Sequence, residues 1–406
     1  MKTKKAIPAV VIGGGLNGLA AIRSLGREGV PVYCLDNWKS EAGYSSYCKK
    51  CFVTPGISDS KDILRKSLLK LESLASHSVL FPTSDPIAMH MSILGEKLEN
   101  YILTVPNKEI LETLVNKRKF YESLAKQNVP HPVTASVEDY NTARKISENM
   151  AYPSFIKPSF SHQFYGMFKM KGFLAKSPKD LLKYLKLTTR ANLEVMIQEI
   201  IPGPSTNHVF VDGYMDRQGS PKAFFARQRL RMWPSTFGNS TLCESIPMTQ
   251  IILQKEILSR YLKSLDYSGI FSAEFKKDKR DGTFKLLEIN PRTSAWFSTL
   301  SAKCGINLML IAYLDAIGED TEYIEQYKGG YRWLKLGTDI LAASSMMLNA
   351  ELTVPIWLSS LLRPKQEYFS FAKDDPYPFI RRLREAPAIF RKLAHARSID
   401  LSMLLG

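Results

Sequence analysis

A strand, a glycine-rich turn and a helix open the chain, and together they most constrain its fold. Residues 9–13 form a short apolar run, residues 16–27 have helical apolar spacing, and residues 32–36 form a second apolar run. This succession predicts two parallel strands in one sheet, with the helix packed across them. A further buried strand is expected over 78–83, so residues 1–105 are predicted to form one doubly wound α/β unit.

The turn after the first strand matches a known phosphate-binding pattern. Gly13, Gly15 and Gly18 fit G-x-G-x-x-G, and Asp36 ends the second strand, where an acid could bind a ribose. One interpretation is therefore an NAD(P) or FAD site. The other is that the glycines serve only the tight turn and the close packing of the helix, and the motif alone leaves both open.

A predicted β-hairpin further along carries a second candidate site. Residues 270–276 and 284–290 have strand character, and the polar run between them is typical of a hairpin loop. With the loop centred near Asp281 and Gly282, Glu274 lies opposite Glu288, and the two-residue period puts Asn290 on the face of Glu288.

This arrangement predicts a cation site. Two like charges about 5 Å apart repel by roughly 3 kcal/mol at an effective dielectric near 20, so the pair needs a compensating cation. Oxygen ligands favour Mg²⁺, with Mn²⁺ as a substitute, at Glu274, Glu288 and Asn290. The alternative is a solvated hairpin whose glutamates pair with Lys276 or Lys285.

Composition sets wider limits. A chain of 406 residues with 45% hydrophobic content can form two or three domains, and its net charge of +16 suits an anionic partner without identifying it. Cys48 and Cys51 form a lone C-x-x-C, for which reduced structural thiols are preferred over zinc or redox chemistry. Since no apolar run reaches about 18 residues, we expect a cytoplasmic protein.

The remaining elements are predicted in order. Residues 108–127 should be mostly helical, 159–172 a loop, and 299–317 one helix, with the sheet ending near Pro291. Further strands are expected over 153–157, 195–201, 209–214 and 223–231, and a further helix over 179–187.

This order of elements, together with its motifs, resembles the ATP-grasp superfamily over residues 8–320, and more narrowly its carboxylate–amine ligase branch. It is also similar to carbamoyl-phosphate synthase large chains and D-aspartate ligases. The resemblance implies a mixed α/β and α+β fold. A Rossmann-like pre-ATP-grasp domain (1–105) would precede a two-lobed ATP-grasp domain, with a small lobe and lid (106–190) and a large lobe (191–329), and a helical C-terminal extension (330–406) would follow.

The resemblance also implies roles for residues. Glu274, Glu288 and Asn290 would bind magnesium between the nucleotide phosphates, and Arg292 would stabilise an acyl phosphate or the substrate carboxylate. Lys117 and Lys157 would contact ATP phosphates, with Lys157 also catalytic. The adenine would contact the hinge strand at Gln198, Glu199 and Ile201. This sequence differs from the family in having one glycine over 159–166 and Ser205 where many relatives have an acid.

Substrate-side candidates come from two regions. In the resembling family the N-terminal domain shapes the substrate pocket, which implies roles for Gly15 and Asp85. On a predicted strand, alternation puts Arg227, Arg229 and Arg231 on one face, where they could bind a phosphate or carboxylate. The alternative is a strand face that is merely solvated.

The predicted activity is a Mg-ATP-dependent ligase that activates a carboxylate as an acyl phosphate and joins it to an amine. The alternatives are an inactive ATP-binding or scaffold protein and an NAD(P)- or FAD-dependent oxidoreductase. Small-molecule acids and amines are the expected partners, with no nucleic acid. A basic amphipathic helix over 379–405 either contacts anionic lipid or packs on the domain with its basic face solvated.

Overall fold

The computed structural model describes residues 7–137, 140–234 and 238–384. Its N-terminal part is a parallel sheet in the order β3-β2-β1-β4-β5. The strands are β1 (Ala9–Ile12), β2 (Val32–Asp36), β3 (Cys48–Val53), β4 (Ser78–Pro82) and β5 (Tyr101–Leu103), and the helices are α1 (Gly15–Gly26), α2 (Lys61–Ala75) and α3 (Asp85–Leu94). The apolar runs that predict strands are fully buried in β1 and β4, as expected for a parallel sheet covered on both faces.

Two short helices lead into a second, antiparallel sheet. They are α4 (Lys108–Val115) and α5 (Lys117–Lys126), and they break at Asn116, whose side chain caps α5 by accepting from the Lys119 amide. The sheet has the order β6-β9-β7-β8. It is built of β6 (Thr134–Ser136), β7 (Ser154–Pro158), β8 (Phe173–Ala175) and β9 (Val195–Glu199), with α6 (Tyr140–Asn149), α7 (Ser161–Phe168) and α8 (Pro178–Arg190). The loop predicted over 159–172 therefore contains a helix.

The third sheet has the order β14-β13-β10-β11-β12-β15-β16. Its strands are β10 (His208–Met215), β11 (Pro221–Trp233), β12 (Asn239–Ser245), β13 (Gly269–Lys277), β14 (Phe284–Asn290), β15 (Arg332–Leu334) and β16 (Gln366–Tyr368). The helices are α9 (Ile252–Ser264), α10 (Ala295–Cys304), α11 (Leu308–Ala316), α12 (Leu336–Leu348) and α13 (Val354–Leu361). The predicted end of the sheet near Pro291 is wrong, because β15 and β16 extend it.

The helix predicted over 299–317 is two helices. Gly305, with φ of +106°, ends α10 in the left-handed conformation that favours glycine, and Asn307 caps α11. Among the described residues no single helix has the length and apolar character to cross a membrane, and the α10–α11 pair, bent by 96°, meets that test by length and composition only. Most of the basic helix predicted over 379–405 lies outside the described residues.

Candidate functional site

A cavity of about 520 Å³ is lined by residues of the second and third sheets and the segments beside them, and by Asn17 of α1 and Asp85 of α3 from the N-terminal unit. A volume of this size suits a small-molecule ligand. Of the residues proposed from sequence, the structure places these on the cavity wall: Asp85, Lys117, Lys157, Gln198, Glu199, Ile201, Arg227, Arg229, Glu274, Glu288, Asn290 and Arg292. Gly15 and Arg231 are not on it.

The carboxylate pair lies on neighbouring antiparallel strands. Glu274 on β13 is the register partner of Glu288 on β14, and Ser272 is the partner of Asn290. The predicted register is therefore confirmed. Just after Glu274 the register shifts by one residue, and such an irregularity increases the local twist and re-aims side chains at the end of a sheet.

Glu274 is 9% exposed and has two cationic or polar neighbours from the same sheet. His208 Nδ1 lies 2.6 Å and Arg229 Nη1 lies 3.0 Å from its Oε1. Burial acts to raise the pKa of Glu274, but the charge of Arg229 and the hydrogen bond from His208 outweigh it and hold that pKa well below its ordinary value. Glu274 is therefore an anion at neutral pH.

Glu288 is more open to the cavity. Lys117 Nζ lies 3.5 Å from its Oε2, and Asn290 Nδ2 donates to its Oε1 over 3.2 Å. Burial acts to raise the pKa of Glu288, but the charges of Lys117, Lys157 and Lys171 together outweigh it and the pKa is lowered. The protein itself thus supplies part of the positive charge that the carboxylate pair was expected to need.

The alternative of a solvated hairpin does not describe this pair. Lys285 lies 2.9 Å from Glu199 and 3.1 Å from Asp278, so its ammonium group pairs with these acids rather than with Glu274 or Glu288. Glu274 is enclosed rather than solvated. Both glutamates instead line the cavity with lysines and arginines around them.

The donor set fits a magnesium ion. Among residues 7–137, 140–234 and 238–384, no three His, Cys, Asp or Glu side chains are grouped to hold a metal. The candidate set is two carboxylates and one amide, Glu274, Glu288 and Asn290, which are hard oxygen donors. Mg²⁺ commonly takes one or two carboxylates and completes its shell with water and substrate phosphates, so this set is sufficient.

Lys157 projects from β7 into the same cavity. Its Nζ lies 3.2 Å from Tyr121 Oη and 3.3 Å from Gln198 Oε1. Burial lowers the pKa of Lys157, and the charges of Glu288 and Glu274 act against that shift. These contacts orient the ammonium group toward the space beside the carboxylate pair.

The hinge strand β9 lies along one wall. The Glu199 amide donates to Val133 O over 2.9 Å, so a hydrogen bond from this residue to an adenine edge would use its carbonyl. The Glu199 carboxylate accepts from Arg280 over 2.7 Å and from Lys285 over 2.9 Å. Its side chain therefore holds β9 against the hairpin loop, and the strand can present its backbone to a ligand.

Asp85 and Arg292 form an ion pair on the cavity wall. Arg292 Nε donates to Asp85 Oδ1 over 2.6 Å and Nη2 donates to Asn290 Oδ1 over 3.2 Å. One guanidinium thus connects α3 to the carboxylate–amide cluster on β14. Asn17, at the start of α1, lies nearby on the wall and donates to Thr83 O over 2.9 Å.

The three arginines of β11 do not share one role. Arg227 pairs with Asp212 over 2.7 Å and Arg229 with Glu274 over 3.0 Å, both at the cavity. The register slips between Arg229 and Arg231, and this bulge turns Arg231 away to Asp339, 2.7 Å distant. The prediction from simple alternation, that all three arginines share one face, is therefore correct for Arg227 and Arg229 and wrong for Arg231.

Side chains of the protein itself occupy the space beside the glycine turn, residues 13–18. The Gly15 amide donates to Ser40 Oγ over 2.7 Å. A Cβ added at Gly14 would lie 1.9 Å from Ser40 Oγ and 2.2 Å from Asp36 Oδ2. These side chains therefore occupy the space beside the backbone where a dinucleotide phosphate would bind. The packing interpretation of the glycines is the one that this geometry favours.

Sequence reasoning missed several residues of the site. His208, Lys171 and Trp296 line the cavity, and Lys171 donates to Asn239 Oδ1 over 2.9 Å at its edge. His208 contacts Glu274 only because β10 pairs with β13, where His208 is the partner of Lys276. That pairing joins strands distant in sequence, and no local motif could have indicated it.

No family model matches the chain. A D-aspartate ligase from Enterococcus faecium (strain Aus0004) is 25% identical over 330 residues, which cover 76% of each chain. The carbamoyl phosphate synthase large chain of Pyrococcus furiosus is 27% identical over 246 residues, 57% of this chain and 22% of that much longer relative.

Comparison of structures gives a likeness of fold. The biotin carboxylase domain of the Hydrogenobacter thermophilus 2-oxoglutarate carboxylase, solved as a dimer with MgADP, ADP and bicarbonate, superposes with a TM-score of 0.64. The match covers 81% of this chain and 74% of that chain at 15% identity. At this identity the likeness establishes a shared fold.

Proposed function

Because the sequence relatives and the structural neighbours indicate the ATP-grasp carboxylate–amine ligase family, we propose that this protein is a Mg-ATP-dependent ligase that joins a carboxylic acid to an amine. In the proposed reaction a carboxylate oxygen attacks the γ-phosphorus of ATP, which gives an acyl phosphate and ADP. The amine nitrogen then attacks the acyl carbon, so the C–N bond forms and phosphate leaves.

The observation that carries the proposal is the convergence of opposite charges in one cavity. Glu274, Glu288 and Asn290 supply oxygens, and Lys117 and Lys157 supply ammonium groups on the same wall. A triphosphate brought against a second anion needs both a metal site and fixed cations, because its charges must be screened before the reacting atoms can approach.

Each residue then has a distinct task. Lys117 and Lys157 would bind phosphate oxygens, the backbone of β9 around Glu199 and Ile201 would bind the adenine, and Arg292 would hold the substrate carboxylate or the acyl phosphate. Magnesium held by the glutamate pair and Asn290 would supply Lewis-acid stabilisation of the phosphates. Arg227 and Arg229 each pair with a carboxylate and also line the cavity, where they would add positive potential for an anionic substrate.

Asp85 begins α3 of the N-terminal sheet unit, and Arg292 follows β14. We assign the acid and the amine to the part of the cavity beside the Asp85–Arg292 ion pair. The five cysteines are free thiols, in keeping with a reducing compartment, and we propose a cytoplasmic location for the reaction.

The first test is ligand-induced thermal stabilisation of the purified full chain. Mg-ATP is expected to raise the unfolding midpoint, while ATP with a chelator should give a smaller rise, because ligands that bind the folded state stabilise it by mass action. NAD(P) and FAD serve as controls. Stabilisation by a dinucleotide and not by Mg-ATP would overturn the proposal.

The second test measures ADP release with arrays of acids and amines. The expected result is ADP formation that requires one acid and one amine together. Glu288→Gln should abolish this activity while leaving the unfolding midpoint without ligand close to that of the wild type. Undiminished turnover by that variant would reject the assigned site.

A further inference from the structure

A helical hairpin on the third sheet carries rows of apolar side chains on its exposed surface. It consists of α12 and α13, and α12 packs across β11 and β12 in the interior of the third sheet. Trp357 Nε1 of α13 donates to Asp339 Oδ2 of α12 over 3.1 Å, so α13 folds back beside the start of α12. Arg231 of β11 contacts Asp339 and also Ser360, over 3.0 Å, and thereby fixes both helices to the sheet.

The buried residues of α12 are Asp339, Ala342 and Ala343, whereas the larger apolar side chains of the hairpin are on its outer surface. On α12, Leu336, Ile340 and Leu348 follow four- and eight-residue spacing and form one exposed row. On α13, Val354, Leu358 and Leu362 follow four-residue spacing and form another. Leu348 is 88% exposed and Leu362 is 84% exposed, so these side chains project from the surface rather than line a groove.

The exposed charges of the hairpin are few, and two of the three are positive. Over residues 336–365 the acids are Asp339, which is buried against Arg231, and the exposed Glu351. Exposed Arg363 and Lys365 follow α13 directly, within a chain whose net charge is +16. Projecting apolar side chains next to cations are the combination that binds the headgroup region of an anionic bilayer.

We propose that the α12–α13 hairpin docks the protein on an anionic lipid surface, with its two apolar rows inserted among the acyl chains and its cations on the headgroups. A second copy is a poorer occupant, because its own hairpin would offer the cations Arg363 and Lys365 one exposed acid, Glu351, as a partner. No residue of the two exposed rows lines the cavity, so docking is independent of the proposed ligase activity.

The test uses the full chain and sedimentation with vesicles. Vesicles of phosphatidylcholine with phosphatidylglycerol should pellet the wild-type protein, and those of phosphatidylcholine alone should bind it at least tenfold more weakly. The double variant Leu348→Glu/Leu362→Glu should bind the anionic vesicles at least tenfold more weakly than wild type. Each substitution replaces an inserted apolar side chain with a charge that the surface repels.

A matched control separates this surface from general hydrophobicity. Leu74→Glu/Leu253→Glu changes two exposed leucines on α2 and α9, 54% and 63% exposed, and should retain wild-type vesicle binding. Both variants should keep the unfolding midpoint and its rise with Mg-ATP.

Three outcomes would overturn the proposal. The first is that the wild-type protein does not bind anionic vesicles, and the second is that the hairpin variant binds them as well as wild type does. The third is that the wild-type protein does not bind vesicles but forms a dimer in light scattering, which the hairpin substitutions dissociate. A failure of the ligase proposal alone would instead appear as lost Mg-ATP stabilisation with vesicle binding intact.

Discussion

Arg292 Nε lies 2.6 Å from Asp85 Oδ1, although 207 positions separate the two residues in the chain. Asp85 begins α3 in the N-terminal sheet unit, and Arg292 follows β14 at the edge of the third sheet. The contact therefore sets the guanidinium at the boundary between these two parts, next to Asn290. A single ion pair positions the cation that we assign to the substrate.

Asp85→Asn should reduce ADP formation at least tenfold while leaving Mg-ATP stabilisation of the fold unchanged. The amide keeps the shape but loses the charge that holds Arg292, so the effect should fall on the acid or amine step. Steady-state kinetics with the pair identified by the ADP screen would separate KM from kcat. Asp85→Glu should restore part of the activity, and Asp59→Asn, an exposed acid of the same unit, is the control.

Glu288→Gln should remove most of the magnesium dependence of ATP binding. The substitution keeps the side-chain volume and one oxygen, but it removes a charge from the carboxylate pair, for which Mg²⁺ has a strong preference. Calorimetric titration with ATP, with and without Mg²⁺, measures the change, expected to be at least tenfold in affinity. Asp281→Asn in the loop of the same hairpin should behave like wild type; equal loss there would contradict the assignment.

Much of the fold, and the register of the carboxylate pair, follow from local sequence patterns. The buried runs of β1 and β4 and the alternation in β13 and β14 are carried by neighbouring residues, which is why the register of Glu274 with Glu288 could be predicted. Cavity residues such as Lys117 and Lys157 were located by resemblance, because their spacing carries no local physical signal of a shared site.

What could not be predicted depends on contacts between distant segments. The bulge after Arg229 turns Arg231 toward Asp339, 108 positions away, and no alternation rule contains that partner. Likewise β15 and β16 join the third sheet after a run of helices, and their three-residue lengths are too short for a periodic signal. The contact of His208 with Glu274 could not be predicted for the same reason, because it requires the pairing of β10 with β13.

Arg231→Met should destabilise the protein strongly without affecting nucleotide binding. Asp339 is fully buried, so removal of its partner leaves an uncompensated charge, which costs about 3–5 kcal/mol in comparable buried pairs. Urea unfolding measures the free energy of unfolding, and Mg-ATP stabilisation measures the site. The double variant Arg231→Met/Asp339→Leu should recover part of the loss.

A surface pair provides the comparison for that result. Arg144 and Glu148 are 70% and 61% exposed, so Arg144→Met should change the free energy of unfolding by less than about 0.5 kcal/mol. If Arg231→Met were equally mild, Arg231 would not have the structural role described above. If it instead abolished Mg-ATP stabilisation in a folded protein, the residue would belong to the site after all.

Lys335 should make the stability of the protein depend on pH in the alkaline range. Burial, with the nearby charge of Arg382, lowers the pKa of Lys335 to about 8. A lysine in the unfolded chain titrates near about 10.4. Between these values the unfolded chain binds more protons, so the contribution of Lys335 to the free energy of unfolding is unfavourable below pH 8 and disappears as the pH rises toward 10.4.

Lys335→Met removes the buried charge and keeps most of the side-chain volume. We expect the variant to be more stable than wild type at pH 7 by about 1–2 kcal/mol, less than the roughly 3 kcal/mol that the full shift would represent. Most of this difference should be gone at pH 10, where folded wild type holds a neutral amine. Urea unfolding of both proteins at the two pH values gives the result, and Lys70→Met, an exposed lysine on α2, should show no such pH-dependent difference. If the free energies of unfolding of Lys335→Met and wild type differed by the same amount at both pH values, the charge of Lys335 would not be the cause of that difference.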